Sequence, residues 1–329
     1  MEEDANGRHD WRAAAVLEWF PVVFRLSIMS TQSLEARRGL MFAAGAYLCW
    51  GLFPLYWKPL SQVPALQILC HRIVWSALLL ALVLAVRGGW GWLAESLRDR
   101  RRLGLLALSA GMLSANWLIY IWAVTHNRVV EASLGYFINP LVNVLIGRMV
   151  LGERLTRPQA MAVIVSALGV GWLTLTAGTL PWIALLLAVS FGVYGLLRKT
   201  ARLPSLEGLA LETWLLFPLA FAGLMWFESE GTGAFLHGAP LDDWLLVGGG
   251  IVTTLPLLMF ASGARRLTLT TLGLMQYISP TLQFLLGVWL YHEPFGGSRM
   301  FGYALIWSAL AMYSGSSLYG LWKQRGQRA

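Results

Sequence analysis

Ten long apolar runs divide this chain, and they constrain its fold more than any other feature. A helix needs about 20 mostly apolar residues to cross the hydrocarbon core of a membrane. Only 13% of the residues are charged, whereas a soluble domain carries about 25%. The sequence therefore predicts an all-α integral membrane protein. The ten predicted transmembrane helices cover 39–57, 66–86, 103–123, 132–151, 158–176, 181–197, 208–226, 244–263, 270–290 and 299–320.

The Lys and Arg residues between these spans indicate how the chain is oriented. If the N-terminus lies in the cytoplasm, most of them fall in cytoplasmic segments, and the external segments hold only Lys58, Arg128 and Arg299. The longest external loop, near 228–243, carries acidic residues and neither Lys nor Arg. Because positive charge is retained on the cytoplasmic side, this alternation predicts a multi-pass membrane protein with both termini in the cytoplasm.

The two ends of the chain lie outside the predicted bundle. Residues 1–38 are predicted to form a cytoplasmic tail, either disordered or an extension from an early start codon, since Met29 begins a short lead-in to the first span. This tail has no long apolar core followed by a small-residue cleavage site, so it does not resemble a signal peptide. Residues 321–329 form a short basic tail that is also predicted to be cytoplasmic.

Catalytic and cofactor motifs are absent from the sequence. We find no HExxH, GxSxG, Walker A or dinucleotide-binding glycine motif, and Cys49 and Cys70 have no metal-site spacing. The net charge of +8 comes without a nucleic-acid-binding motif. We therefore expect no enzyme activity, cofactor, metal or nucleic acid. The expected partners are the lipid bilayer and a small-molecule substrate, with monomer and homodimer both open.

An internal repeat relates the two halves of the chain. A shift of 140 residues aligns Pro140 with Pro280 and brings Glu153 onto Glu293, and a shift of 141 aligns Lys58 with Lys199. The predicted repeats, 39–176 and 181–320, contain five spans each. An odd number of spans forces the second repeat to enter the membrane from the opposite side. Inverted repeats are typical of secondary transporters, which bind substrate near the midplane; a duplicated bundle without a transport role is the alternative.

Ionisable residues within the spans are candidates for function, because they are costly in hydrocarbon. Arg72 could bind a carboxylate or phosphate of a substrate, or it could extend toward the interface. Its neighbour His71 could bind substrate and couple transport to protons, or simply bond a carbonyl. Adjacent helical residues point about 100° apart, so both cannot face one cavity. Glu212, the repeat counterpart of His71, could pair with Arg72, carry a proton, or cap a helix.

Two prolines within the spans, Pro140 and Pro280, are predicted to kink their helices, and polar side chains surround both. A polar stripe beside a kink in each half indicates a substrate cavity, although the same side chains could instead join helices by hydrogen bonds. The candidate substrate-binding residues in these stripes are Tyr136, Asn139, Asn143, Gln276, Tyr277, Ser279 and Gln283.

Aromatic residues in the first and third spans form a further group. Trp50 and Asn116 lie deep enough in their spans to contact a substrate, and Trp117 and Tyr120 accompany Asn116. Trp57, near the end of the first span, is predicted to belong to the interfacial belt of aromatic residues.

Six segments of the chain form a distinctive combination, namely Trp50–Lys58, Gln67–Ser76, Gly135–Leu141, Gly152–Arg154, Tyr277–Thr281 and Glu293. Together they resemble the RarD family, bacterial members of the EamA group in the drug/metabolite transporter superfamily. The resemblance implies a location in the bacterial inner membrane. It covers roughly 37–320, and the N-terminal extension and the acidic loop near 228–243 are departures that touch none of the motifs.

The resemblance implies a fold of two inverted five-helix EamA repeats around a central cavity. It also implies secondary transport by alternating access, in the direction of export, of small metabolites or drugs. The family takes its name from chloramphenicol sensitivity. Two other interpretations stay open: a membrane-embedded enzyme that uses His71 and Glu212, and a membrane scaffold that transports nothing.

Overall fold

The computed structural model describes residues 34–150, 152, 155–201, 203–264, 266, 267, 272 and 275–326. Most of the predicted N-terminal tail, up to residue 33, and residues 327–329 of the C-terminal tail lie outside these ranges. Within them the chain consists of helices joined by short connections, and no β-strand occurs. The prediction of an all-α protein is therefore confirmed for the described part of the chain.

The helices follow one another with few residues between them. The first, α1 (Leu34–Gly51), continues into α2 (Phe53–Trp57) and a 3₁₀ turn (Lys58–Gln62). A short amphipathic helix, α4 (Gly91–Arg98), precedes α5. The remaining helices are α3 (Ala65–Arg87), α5 (Arg100–Thr125), α6 (Val129–Val150), α7 (Arg157–Ala177), α8 (Trp182–Ala201), α9 (Ser205–Ser229), α10 (Pro240–Ala264), α11 (Ile278–Leu285, extended by a π turn over Leu286–Leu290) and α12 (Ser298–Gly326).

Six of the described helices are long and apolar enough to cross a membrane, namely α3, α5, α6, α7, α9 and α10. The bent pair of α1 and the segment Phe53–Gln62 makes a seventh if it counts as one span. Two shorter apolar helices, Trp182–Leu197 and Ile278–Leu290, lie where the sixth and ninth spans were predicted. The tenth predicted span lies on α12. Multiple apolar helices of membrane length are thus confirmed.

A bend of 43° separates α1 from the helical segment that follows it. Pro54 lies in the first turn of α2, and because proline has no amide hydrogen, the carbonyl of Trp50 lacks its helical donor. The side chain of Gln283 supplies a donor instead, with its Nε2 2.9 Å from that oxygen. Ser279 donates to the carbonyl of Tyr47 at 2.7 Å. Side chains of α11 therefore hold the broken region of α1.

The two prolines that were predicted to kink helices occupy different positions. Pro140 lies inside α6, where its ring removes the hydrogen bond to the carbonyl of Tyr136. Pro280 lies in the first turn of α11, which begins at Ile278. A helix leaves its first amide groups without helical acceptors in any case, so Pro280 interrupts no bond within α11. The two positions are therefore not equivalent in the helices that contain them.

Helices at corresponding positions of the two predicted repeats pack against one another. Helix α3 contacts α9, α6 contacts α11, and α7 contacts α12. The remaining large contacts, α5 and α6 with α8 and α3 with α10, also join the first half to the second. The two halves are therefore interleaved in one bundle.

The contact of α7 with α12 depends on close backbone approach at two glycines. A Cβ atom on Gly169 would lie 2.9 Å from the carbonyl oxygen of Gly302 and 2.8 Å from Cγ1 of Ile306. By contrast, a Cβ atom on Gly171, two residues along the same helix, would meet no atom within 4 Å. Small residues at helix crossings are a common means of packing in membranes.

We predict opposite effects of alanine at these two positions of α7. Gly169→Ala should lower the free energy of unfolding by about 1–3 kcal/mol, because it overpacks the crossing with α12. Gly171→Ala should raise it slightly, by up to about 1 kcal/mol, because alanine favours the helix and meets nothing. Thermal unfolding of the purified protein in detergent measures both. Equal changes in the two variants would contradict the close approach.

Candidate functional site: a central cavity around Arg72

A cavity of about 380 Å³ lies between the two halves of the bundle. Helices α1, α3, α5 and α6 of the first half and α8 to α11 of the second contribute to its walls. It extends from Phe53 and Arg72 toward Leu206 and Leu209, which lie in the first turns of α9. The cavity is therefore a space that both halves enclose.

Most of the predicted substrate-binding residues line this cavity, although they come from five different helices. Spans that are far apart in the sequence are brought together by the interleaved packing described above. The predicted residues in the wall are Trp50, Arg72, Asn116, Tyr136, Asn139, Gln276, Ser279 and Gln283, together with Pro280. His71, Asn143, Tyr277, Glu212 and Pro140 are not in the wall.

The side chains of His71 and Arg72 point in different directions, as expected for adjacent residues on one helix. Arg72 points into the cavity, whereas the His71 ring packs against Phe235, 5.3 Å between ring centroids. Phe235 belongs to the connection between α9 and α10. The Nδ1 atom of His71 is buried and has no hydrogen-bond partner among the described residues. His71 therefore faces the connection between α9 and α10 rather than the cavity.

Glu212 is buried in the contact between α9 and α5. Its side chain is 1% exposed, and the hydroxyl of Ser109 donates to its Oε1 at 2.7 Å. Glu212 lies well inside α9, which begins at Ser205, so it does not cap the N-terminus of that helix. The carboxylate sits one turn beyond the cavity-lining Leu209, at the edge of the site.

Arg72 is enclosed by aromatic rings. Its side chain is 3% exposed, and Cζ lies 3.9 Å from the ring centroid of Trp117, 5.6 Å from Trp57 and 5.9 Å from Phe53. The Nε and Nη1 atoms are buried and have no hydrogen-bond partner within the described part of the chain. Arg72 is also the one charged residue in the described cavity wall.

The aromatic rings stabilise the charge of Arg72 without satisfying its N–H groups. An arginine at the centre of a membrane helix costs about 2.5–3.5 kcal/mol on insertion scales. Each aromatic face within about 6 Å returns about 0.5–2 kcal/mol, so three faces can offset the charge. Each buried N–H without an acceptor still costs about 1–3 kcal/mol. An acceptor that entered the cavity would remove this second cost.

The prediction that Trp57 lies at the membrane interface is wrong. Trp57 is 1% exposed and packs at right angles to Phe53 and Tyr56, on the Arg72 side of α2. The break after Gly51 turns this short helix into the bundle. Because that break depends on contacts with α11, the sequence of the first span alone could not place Trp57.

One wall of the cavity is built around Asn116. Its Nδ2 donates to the carbonyl of Leu187 at 2.9 Å and to Ser190 Oγ at 3.0 Å, and both acceptors lie on α8. Its Oδ1 accepts a hydrogen bond from the Tyr136 hydroxyl at 3.5 Å. Asn116 thus joins α5 to α8 by hydrogen bonds and also lines the cavity. At this residue a role in the cavity wall and a role in helix packing are both present.

Three further buried polar atoms of wall residues have no partner among the described residues. They are the hydroxyl of Tyr120, Oδ1 of Asn139 and Oε1 of Gln283. Buried polar groups are normally hydrogen-bonded, so a cluster of exceptions around one cavity indicates a space that a polar ligand or water fills.

Sequence reasoning missed most of the aromatic wall. In a sequence such residues look the same as rings that pack between helices. Only Trp50, Trp117, Tyr120 and Tyr136, which accompany polar residues in their spans, were named in advance. The additional aromatic residues in the wall are Tyr47, Phe53, Phe191, Tyr194 and Phe260.

Comparison with known proteins agrees with this architecture. Residues 37–175 match the model of the EamA-like transporter family. Protein RarD of Streptomyces exfoliatus is 46% identical over 284 residues, which are 86% of this chain and 90% of that protein. The chain belongs to the RarD family of EamA-like transporters.

Other relatives also align with this chain over most of their length. The uncharacterized transporter YojE of Bacillus subtilis is 45% identical over 89% of this chain and 98% of its own length. The chloramphenicol-sensitive protein RarD of Pseudomonas aeruginosa is 32% identical over 87% of this chain and 97% of its own length. A solved crystal structure covers 83% of this chain and 96% of the solved chain, with a TM-score of 0.54 at 20% identity, which shows a shared fold.

A carboxylate that follows α11 contacts the start of α6. Glu293, 8% exposed, follows α11 and accepts hydrogen bonds from the amides of Val129 at 2.6 Å and Val130 at 2.8 Å. These amides begin α6, where free N–H groups and the helix dipole favour a negative charge. Nearby, Lys58 Nζ donates to the carbonyl of Val124 at 3.1 Å. We call Lys58, Val129, Val130 and Glu293 the capped end.

We predict that Gln283 matters for stability as well as for the site. Gln283→Leu should lower the free energy of unfolding by about 1–3 kcal/mol, because it leaves the Trp50 carbonyl without a donor. Thr281→Val is the control on the same helix, since the Thr281 hydroxyl bonds its own helix at Tyr277. It should change stability by less than about 0.5 kcal/mol. Denaturation in detergent that ranked the two variants equally would contradict this role.

Proposed function

We propose that this chain is a secondary transporter that moves small metabolites or drugs across the bacterial inner membrane. Membership of the RarD family and the names of its relatives support a transport role. The observation that carries the proposal is the cavity between the two halves. It combines polar residues from both halves with a buried Arg72 whose Nε and Nη1 have no hydrogen-bond partner among the described residues. Secondary transporters bind substrate in such a position.

The proposed topology has ten transmembrane helices in two inverted repeats, 39–176 and 181–320, with both termini in the cytoplasm. The distribution of Lys and Arg supports this orientation, and the pairing of α3 with α9, α6 with α11 and α7 with α12 supports a two-fold relation between the repeats. In this topology the capped end is external, and Leu206 and Leu209 lie toward the cytoplasm.

The proposed mechanism is alternating access with export as its direction. The capped end ties the second repeat, through Glu293, to the first repeat at the start of α6. The cavity extends away from this end, toward the first turns of α9. This arrangement corresponds to a state that is closed to the outside and receives substrate from the cytoplasm. Release would require the Glu293 contacts to break.

The proposed substrate contacts are the predicted residues that line the cavity, with Arg72 as the charged one. Proton coupling, if it operates, would have to use Glu212 at the edge of the site or His71 beside the loop. Each would have to act through the helix that carries it, because neither lies in the cavity wall.

We predict that filling the cavity abolishes export. Asn139→Phe places a ring where an amide, 5% exposed, lines the cavity. Cells that overproduce the wild-type protein should release metabolites that deletion cells retain, and the variant should restore the deletion pattern. Mass spectrometry of culture medium and cell extracts measures the difference.

Leu145→Phe is the matched control for this experiment. Leu145 lies on the same helix and is 37% exposed on its outer side, so the substitution should leave export at the wild-type level. Membrane fractions must show equal amounts of both variants. Identical released pools for wild type, Asn139→Phe and deletion cells would refute the transport proposal.

We also predict that Glu293→Ala opens the capped end. The change leaves two amides of α6 without acceptors, at about 1–3 kcal/mol each, which is comparable to the few kcal/mol that separate alternative conformations. A cysteine placed in the cavity as Leu113→Cys, with Cys49 and Cys70 replaced by Ser, should react faster with an impermeant maleimide added outside intact cells.

Glu228→Ala serves as the control for this labelling. Glu228 is an exposed carboxylate on the same proposed side, paired with His237 at 2.7 Å, and its removal should not change the rate. Equal labelling rates of Leu113→Cys with and without Glu293→Ala would contradict the proposed opening of the capped end.

A further inference from the structure

We infer that the cavity takes a monovalent organic anion, a carboxylate attached to an apolar and aromatic body. This inference rests on the proposed function, since it names the substrate class of the same cavity. It is drawn from the charge, the free hydrogen-bonding groups and the wall chemistry around Arg72.

The charge of the cavity is unbalanced. Arg72 is the one charged residue in the described wall, and its surroundings at close range are the rings of Phe53, Trp57 and Trp117. Rings attract a cation through their faces but carry no net charge. An anion that entered the cavity would therefore meet a positive field in a medium that screens it little.

The orientation of Arg72 leaves its hydrogen-bonding edge available. The N–H groups of a guanidinium lie in its own plane, and the close contact with Trp117, 3.9 Å to the centroid, uses the π system rather than that edge. Nε and Nη1 are buried and have no hydrogen-bond partner among the described residues. A planar guanidinium whose donors lack acceptors suits the oxygens of a carboxylate.

A single negative charge fits this cavity better than two. A dianion such as a phosphate monoester would keep one charge without a counter-charge, because no second cation occurs in the described wall. A zwitterion would need a carboxylate for its ammonium group, and the described wall contains none. Glu212 is at the edge of the site and already accepts a hydrogen bond from Ser109.

The rest of the wall indicates the body of the ligand. Tyr47, Trp50 and Phe260 form a mutually packed aromatic group, with centroids 5.5–5.9 Å apart, and all three line the cavity. Their faces and edges suit a flat apolar group. The amide oxygens of Asn139 and Gln283, which have no partner in the described part of the chain, would accept a hydrogen bond from a hydroxyl or amide on that body.

The test compares matched ligands that differ in charge. Benzoate, phenylacetate and 4-phenylbutyrate, their amides and the corresponding amines are titrated into the purified full-length protein by calorimetry, with thermal stability as a second readout. We expect at least one carboxylate to bind the wild-type protein tenfold or more tightly than its amide and its amine. Amide or amine binding equal to carboxylate binding across the whole set would overturn the inference, without any variant.

Variants then assign the preference to Arg72. Arg72→Gln should weaken carboxylate binding roughly 30-fold or more, as expected when one partner of a buried charge pair is removed. The affinity of Arg72→Lys for the carboxylate should lie between those of the wild type and Arg72→Gln, because lysine keeps the positive charge but lacks the planar guanidinium. Arg102→Gln is the control, since Arg102 lies at the start of α5 beside Glu95 and Asp99, and it should bind like wild type. Undiminished carboxylate binding in folded Arg72→Gln would also overturn the inference.

The outcome can be separated from that of the transport proposal. If Asn139→Phe abolishes export while no carboxylate is preferred over its amide, transport stands and the anion assignment fails. If Asn139→Phe leaves export unchanged, transport through this cavity fails whatever the binding data show.

Discussion

A guanidinium group that is buried among membrane helices must be compensated, and the arrangement of this bundle around Arg72 shows how. Rings from α2 and α5 converge on its side chain, so the charge is stabilised without an acidic partner in the described wall. A buried ion pair would have neutralised the site and used the donors of Arg72. The aromatic faces leave Nε and Nη1 without acceptors among the described residues, and Arg72 lines the cavity. The aromatic rings therefore stabilise the charge of Arg72 without occupying its hydrogen-bond donors.

The same requirement, that buried polar groups find partners, explains the contacts between the two halves. The break at Pro54 leaves the Trp50 carbonyl free, and Gln283 satisfies it from the opposite half. The start of α6 presents free amides, and Glu293 satisfies them, again from the opposite half. In the hydrocarbon core of a membrane there is no water to form these hydrogen bonds instead. Irregular backbone in the first half of the chain is thus stabilised by side chains of the second half.

The RarD family relationship covers nearly the whole bundle, whereas the similarity to a solved structure at 20% identity concerns the fold alone. The features that bear on specificity come from this chain's own side chains. Arg72 supplies charge, Tyr47, Trp50 and Phe260 supply an apolar surface, and Asn139 supplies an acceptor. A ligand of the proposed class would contact all three, and this requirement restricts its chemistry more than family membership does.

The sequence by itself determined that the chain is helical and membrane-spanning, because span length and charge distribution are local properties. It also identified Arg72, Asn116, Asn139 and Ser279 as candidates, since polar residues in apolar runs stand out. Only the tertiary structure decided that Arg72 enters the cavity while His71 faces Phe235, and that Trp57 is buried rather than interfacial. Those outcomes depend on helix rotation and on a break held from a distant helix. No local pattern encodes them, because they arise when residues far apart in the sequence come into contact, such as His71 with Phe235 and Trp50 with Gln283.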